Sequence, residues 1–230
     1  MTLKLNGSSS GSVSIDAPAS TTSGADITFN LPVADGTSGQ VLQTDANGQL
    51  SFTGNGGTGR KVLEQFFSPC DGSVIATSAG NVTLPNVTAQ QDLTTSYADI
   101  TGSSITYTPP SGTTQVIYEF YFYKGASDDN SLHHQKLFID SDEVTKARMT
   151  HRGTNNFDGV RIVYKWGINI GGSADTTVGR LASWSSGKTI KCQAREYDGS
   201  HEAAFHETGG WDGTSGAHLS IPCLGITAIG

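Results

Sequence analysis

Six histidines, three cysteines and three tryptophans are the side chains of this 230-residue sequence with the most chemistry to offer. His201 and His206 bracket Glu202 in the run His201-Glu202-Ala203-Ala204-Phe205-His206-Glu207. A helical zinc-protease motif needs its two histidines four residues apart, so that both imidazoles leave one helix face toward the metal. Here the second histidine comes one residue too late, and the segment follows the turn formers Asp198-Gly199-Ser200. Two loop histidines are therefore expected in place of a zinc centre. His133 and His134 are adjacent, and on a strand they point to opposite faces. Either could still meet its symmetry mates on a three-fold axis and bind a metal there, a point one sequence leaves open. Asp128-Asp129-Asn130 is oxygen-rich but lacks the ligand spacing of a calcium loop, and it reads as a solvated turn.

Other catalytic patterns fail on similar grounds. Gly54-Asn55-Gly56-Gly57-Thr58-Gly59-Arg60-Lys61 has the glycine spacing of a phosphate-binding loop, but Arg60-Lys61 stands where Lys-Ser/Thr must hold phosphate and Mg²⁺. Carboxylate pairs such as Glu196 with Glu202 read as ordinary surface residues, and no Gly-x-Ser-x-Gly elbow occurs. The expectation is a protein that is not an enzyme and uses no cofactor and no metal. Cys70, Cys192 and Cys223 lie far apart with no C-x-x-C pair, so buried free thiols are expected. Trp184 and Trp211 sit in Gly/Ser/Asp-rich stretches. They are the candidate receptor-binding residues, since exposed aromatics among small polar residues suit stacking on sugars or docking on protein.

Composition narrows the class. Hydrophobic residues make up 35% and charged residues only 15%, the balance being largely Gly, Ser, Thr and Asn. Low charge argues against ordinary disorder, and β-branched residues between Gly/Ser turns argue for short strands. The net charge of −7 leaves no Lys/Arg excess for phosphate backbones, so nucleic-acid binding is not expected. No stretch approaches a transmembrane helix, and Met1–Asn6 carries no apolar leader core, so neither membrane insertion nor secretion is expected.

The chain changes character near its glycine-rich segment. Residues 1–53 hold short apolar pairs between turns: Leu3/Leu5, Val13/Ile15, Ile27/Phe29, Val41/Leu42 and Leu50/Phe52. Strands this short bury little surface within one chain, and without disulfides or metals the remaining route to stability is oligomerisation. Residues 1–53 are thus expected to form an intertwined β stem, with Leu31, Val41, Leu42, Leu50 and Phe52 as its attachment and oligomer contacts. Residues 54–60 form a linker by composition. Residues 61–230 carry longer strands. In Val160–Ile170 the even positions are apolar and the other face carries Arg161, Lys165 and Asn169, a half-buried antiparallel strand. Gln115–Tyr123 is apolar on both faces, as a strand central between two sheets or at a subunit interface would be. Further strands are expected at Lys61–Phe67, Ser104–Thr108, Gln135–Ile139, Lys188–Tyr197 and His218–Ile229, with one helical turn within Asp142–Arg148. Roughly eight strands with these turns make the fold class all-β, a jelly-roll β-sandwich.

The segment from Leu31 to Phe52, Leu31-Pro32-Val33-Ala34-Asp35-Gly36-Thr37-Ser38-Gly39-Gln40-Val41-Leu42-Gln43-Thr44-Asp45-Ala46-Asn47-Gly48-Gln49-Leu50-Ser51-Phe52, resembles an LPxxDGxxGQVLxTDxxGxLxF unit of tail-fibre and other trimeric virion proteins of marine bacteriophages, cyanophages among them. Thr94–Pro109 and Pro222–Gly230 resemble the compact C-terminal domain of the same proteins, which is similar to the trimeric tumour-necrosis-factor/C1q jelly roll. The resemblance implies a homotrimer on the exterior of a phage particle, assembled in the host cytoplasm. It also implies docking on other virion proteins through residues 1–53 and contact with a host-surface glycan or protein. A short tail fibre is the leading expectation, a capsid decoration protein the alternative, and a glycan-degrading enzyme a remote third.

Overall fold

The computed structural model describes residues 2–6, 12–16, 28–37, 39–45, 47, 49–54, 59–126, 131–153, 160–209, 212 and 217–230. The chain divides into two units, Met1–Gly59 and Arg60–Gly230. Among the described residues there is no α-helix; a 3₁₀ turn at Thr145–Ala147 occupies the place where one helical turn was expected.

Among its described residues the first unit carries two antiparallel strand pairs. Strands β1 (Thr2–Asn6) and β2 (Ser12–Asp16) pair with Leu3 opposite Ile15. Strands β3 (Gln40–Thr44) and β4 (Leu50–Gly54) pair with Leu42 opposite Phe52. The turn between β3 and β4 is closed by Asp45, whose carboxylate accepts from the Asn47 and Gln49 N–H groups at 2.8 and 3.1 Å. The Asn47 N–H, the largest influence, holds this carboxyl below the usual range. Phe29 lies outside any strand, and only a single bridge joins Asn30 to Gln49, so no strand forms at Phe29; Ile27 lies outside the described residues.

The second unit is a sandwich of two six-stranded sheets. Its strands are β5 (Val62–Pro69), a hairpin of β6 (Val74–Thr77) and β7 (Gly80–Thr83), the short β8 (Gln91–Asp92) and β9 (Ala98–Asp99), β10 (Ile105–Tyr107), β11 (Gln115–Ala126), β12 (Leu132–Ile139), β13 (Asp142–Glu143), β14 (Met149–Arg152), β15 (Val160–Asn169), β16 (Lys188–Glu196), β17 (Ala203–Phe205), β18 (Glu207–Gly209), β19 (Ala217–Leu219) and β20 (Cys223–Ile229). One sheet runs β5–β20–β11–β15, and the other carries β10–β16–β12 with β13 and β14 on its edge. The pairings are nested: β5 with β20, β10 with β16, β11 with β15, β12 with β14. Pairing the first long strand with the last, and so inward to a central hairpin, is the connectivity of a jelly roll.

Side-chain alternation builds the core. Along β11, Val116, Tyr118, Phe120 and Phe122 are buried between the sheets, and Ile162, Tyr164 and Ile168 of β15 lie beside them. The facing sheet contributes Leu137 and Ile139 from β12 and Ile190, Cys192 and Ala194 from β16. Buried hydroxyls find acceptors: Tyr118 donates to the Ser103 carbonyl at 2.7 Å, and Tyr164 donates to the Ala147 carbonyl at 2.5 Å. All three cysteines are free thiols; Cys70 and Cys192 are buried and Cys223 is half-buried. Burial pushes the Cys70 and Cys192 thiols up to about 12, far from a reactive range.

One strand expected from sequence needs correction, and one strand was not expected. His218–Ile229 is not one strand: β19 ends at Leu219, and β20 begins after Pro222, which lacks the N–H a ladder requires. The Pro222 carbonyl instead accepts from the Cys70 N–H at 2.8 Å, which ties the entry of β20 to the end of β5. Met149–Arg152 is a strand although Met-Thr-His-Arg has no apolar run, because His133 and His134 of β12 supply its register.

One end of this core is polar. His133 of β12 is fully buried and stacks on His151 of β14, with ring centroids 5.3 Å apart. Buried His206 stands edge-on to Phe122, and Phe205 stands edge-on to His133. Among the described residues, Nδ1 of His133 and Nε2 of His151 meet no hydrogen-bond partner. Buried Lys124, which contacts the Ser131 hydroxyl, adds positive charge nearby, and Glu196 lies opposite His133 on β16. Burial, helped by His151 and Lys124, pulls His133 down to about 3. Burial pulls His206 down to about 4, against a weaker opposing pull from the Thr101 backbone.

The linkage sign follows from those directions. Between the depressed native values and about 6.5, the unfolded chain binds protons that the folded chain refuses, so folding stability is full above about pH 6.5 and is lost as pH falls below it. Each such histidine contributes a slope of up to about 1.4 kcal/mol per pH unit. Denaturant titrations at fixed protein concentration from pH 8 to pH 5 are expected to show this acid loss, and His133→Gln is expected to remove about one proton's share of it. Equal stability at pH 7 and pH 5 contradicts the placement of these rings. In the apolar half of the core, Phe120→Ala is expected to cost about 3–5 kcal/mol, read as a shift in the denaturation midpoint.

Candidate functional site

Residues proposed from sequence as contacts distribute unevenly. Trp184 is withdrawn as a receptor contact: it is 7% exposed, its indole Nε1 donates to the Tyr107 carbonyl at 3.1 Å, and its ring meets Tyr107 edge-on. A polar loop sequence around a tryptophan does not distinguish a ring displayed to solvent from one tucked beneath the loop, and here the buried N–H needed an acceptor that the core supplies. Trp211, Asp128-Asp129-Asn130 and residues 55–58 of the glycine-rich segment lie outside the described residues. His133 is sealed in the core and cannot face a symmetry axis, whereas His134 points outward and bonds the Thr150 hydroxyl at 2.9 Å. His201 and His206 share no helix. His201 is held by the Asp198 carboxylate at 2.6 Å, and His206 is buried with φ of 63°. Among the described residues no three His, Cys, Asp or Glu side chains converge as metal ligands do.

In the first unit the apolar residues of the repeated-looking motif stand in the open. Leu31 is 74% exposed, and Val33, Val41, Leu42 and Phe52 are exposed with it; Leu50 is half-buried. A cleft of about 390 Å³ runs between Pro32–Asp35 and Gln49–Phe52. Much of the motif serves the backbone around it. A Cβ on Gly36 would sit 2.7 Å from the Phe52 ring, so glycine is what lets the ring lie across the chain. The Gln40 side chain accepts from the Thr37 N–H at 2.6 Å, and Asp45 closes the turn described above.

The second unit has a comparable surface on the outer face of β5–β20–β11–β15. Register places Pro69, Cys223, Tyr121 and Val163 in one row, and Phe67, Gly225, Glu119 and Lys165 in the next. Phe67 is 53% and Val163 46% exposed, and the Phe67 ring meets Tyr121 edge-on at 5.0 Å. Gly225 makes that possible: a Cβ there would fall 2.6 Å from the Phe67 ring. Lys165 pairs with Glu119 at 2.8 Å, so the only charges in this row neutralise each other. Above the rows lies a cleft of about 320 Å³ whose lining includes Phe67, Tyr121, Tyr123, Arg161, Ile221 and Cys223. Sequence reasoning identified the two-faced character of β11 but not its partners Phe67 and Val163, which come from strands about 40–55 residues away in the chain.

Comparisons with known proteins add little beyond fold class. No protein-family model and no curated protein matches the sequence. Among solved structures, the CBM36-1 domain of a multidomain xylanase from the hindgut metagenome of Trinervitermes trinervoides is similar at 12% identity, covering 71% of this chain and 96% of that one, with a TM-score of 0.29. The infectious bursal disease virus VP2 subviral particle is similar at 10% identity, 69% and 46% coverage and a TM-score of 0.21. The Gx strain of the same virus gives 10% identity, 78% and 42% coverage and a TM-score of 0.23. The chain thus spans less than half of either viral protein. What the chain itself establishes is an all-β protein whose larger unit is a jelly-roll sandwich.

Proposed function

We propose that this chain is a non-enzymatic structural subunit of a bacteriophage particle, a short tail-fibre or appendage protein that acts as a homotrimer. In this reading the first unit docks the trimer on other virion proteins, and the jelly roll faces the host surface. The observation that carries it is the outer face of β5–β20–β11–β15, where Phe67 and Val163 are exposed in a single copy and the half-buried Tyr121 ring lies against Phe67. Contiguous apolar surface of this kind, on a chain otherwise rich in small polar residues, is favourable in water only when another surface covers it. The exposed Leu31, Val41, Leu42 and Phe52 make the same demand in the first unit. The likeness of Leu31–Phe52 to phage-fibre sequence and the nested jelly-roll pairing both agree with a trimeric appendage.

Phe67→Asp combined with Tyr121→Asp is expected to leave the sandwich folded, since both rings lie outside the core, but to abolish association in sedimentation. Persistent association of the double variant counts against this face as the interface. On particles, an antibody to the jelly roll is expected to label the tail, and a chain beginning at Lys61 is expected to fold yet fail to incorporate. Labelling across the capsid lattice would replace the appendage with a decoration protein.

A further inference from the structure

The opposite sheet shows its own outer face, and its chemistry differs. Arg195 on β16 sits opposite His134 on β12, and Tyr97 immediately precedes β9, which pairs with β16 at Ala98–Ala194. Tyr97, Arg195, His134 and Thr150 therefore form a row across the sheet, with Tyr197 two residues beyond Arg195 on the same side. Tyr97 is 38% and Tyr197 49% exposed. Lys136 stands 4.1 Å and Arg195 5.5 Å from the centre of the Tyr97 ring, and Tyr197 meets His134 and His201 edge-on.

On the outer face of β12 and β16 the ion pairs leave Arg195 without a carboxylate, as they leave Lys61 and Arg161 elsewhere among the described residues. Lys136 and Arg148 share Glu143, Lys188 takes Asp140, Lys191 takes Asp99, and Asp198 is occupied by His201. Among the described residues the Arg195 guanidinium donates through Nη1 to the Thr95 carbonyl at 3.2 Å, its Nε is buried without a partner, and it forms no ion pair. The phenol groups of Tyr97 and Tyr197 likewise donate to no described residue. A guanidinium with no carboxylate partner over the Tyr97 ring, on rigid strands and on the same side as exposed Tyr197, is complementary to a ligand that brings both a carboxylate and a hydroxylated ring.

We infer that this face, centred on Arg195 with Tyr97 and Tyr197, binds an acidic polysaccharide, the uronate carboxylate on Arg195 and the sugar rings against the tyrosines. The inference rests on the host-facing role proposed above and names the ligand class for it. Nucleic acid is the poorer fit, because affinity for a phosphate backbone needs several uncompensated cations.

The test is calorimetric titration of the full chain with alginate, using neutral dextran and duplex DNA as comparators. Alginate is expected to bind and to weaken with added salt, while dextran and DNA do not bind. Arg195→Gln and Tyr97→Ala are each expected to weaken alginate on the order of tenfold. Arg180→Gln, away from this face, is expected to leave it unchanged, and thermal midpoints confirm that all variants fold. Absent alginate binding, equal binding of dextran or DNA, or indifference to Arg195→Gln and Tyr97→Ala overturns the site. Any of these outcomes leaves trimer mass and particle location untouched, whereas absence of the protein from particles sinks the virion role and leaves the titration standing.

Discussion

Strand β11 is apolar on both sides, and most of the second unit follows from that constraint. Its inner residues Val116, Tyr118, Phe120 and Phe122 fill the sandwich; its outer residues Ile117, Tyr121 and Tyr123 cannot be placed in the same core, because successive side chains leave opposite faces. It pairs with β15 on one edge and with β20 and β17 on the other. A strand so central fixes the register of the sheet, and that register then aligns Phe67 and Val163 beside Tyr121 on the outside. The exposed aromatic face is thus a consequence of how the core is built, and a partner surface is the way to cover it.

The two sheets divide labour by chemistry. Where β5, β20, β11 and β15 look outward, the charges cancel as Glu119–Lys165 and the remainder is largely ring and aliphatic surface. Where β16 and β12 look outward, alternate positions carry Arg195, His134, Lys136 and Lys191, and all but the first two are matched to carboxylates. An apolar face suits permanent association, and a charged face with open rings suits reversible contact with a hydrated ligand. The buried histidines lie between the sheets and open to neither surface, which makes them a stability device with a cost at low pH and no evident role in contact.

Sequence alone carried the fold class because periodicity is local. Ile162, Tyr164, Trp166 and Ile168 of β15 face the core as their alternation implied, although Val160 at the strand's start is exposed, and the two-faced β11 was legible for the same reason. Three kinds of feature were not. Met149–Arg152 is a strand by virtue of its partner, not its composition. The break at Pro222 was hidden inside an apolar run whose ends both belong to strands. The Tyr97–Arg195 row depends on pairing between residues nearly a hundred positions apart, which no local pattern encodes. Trp184 was misjudged for a related reason: its acceptor, the Tyr107 carbonyl, belongs to a strand 77 residues earlier.

A single copy of this chain leaves exposed apolar surface that the proposed homotrimer would cover. Light scattering on the intact chain, followed by dilution through the micromolar range, measures this most directly. The account requires a mass near three times the 24.0 kDa of one chain. A stable species of 24.0 kDa under those conditions contradicts it.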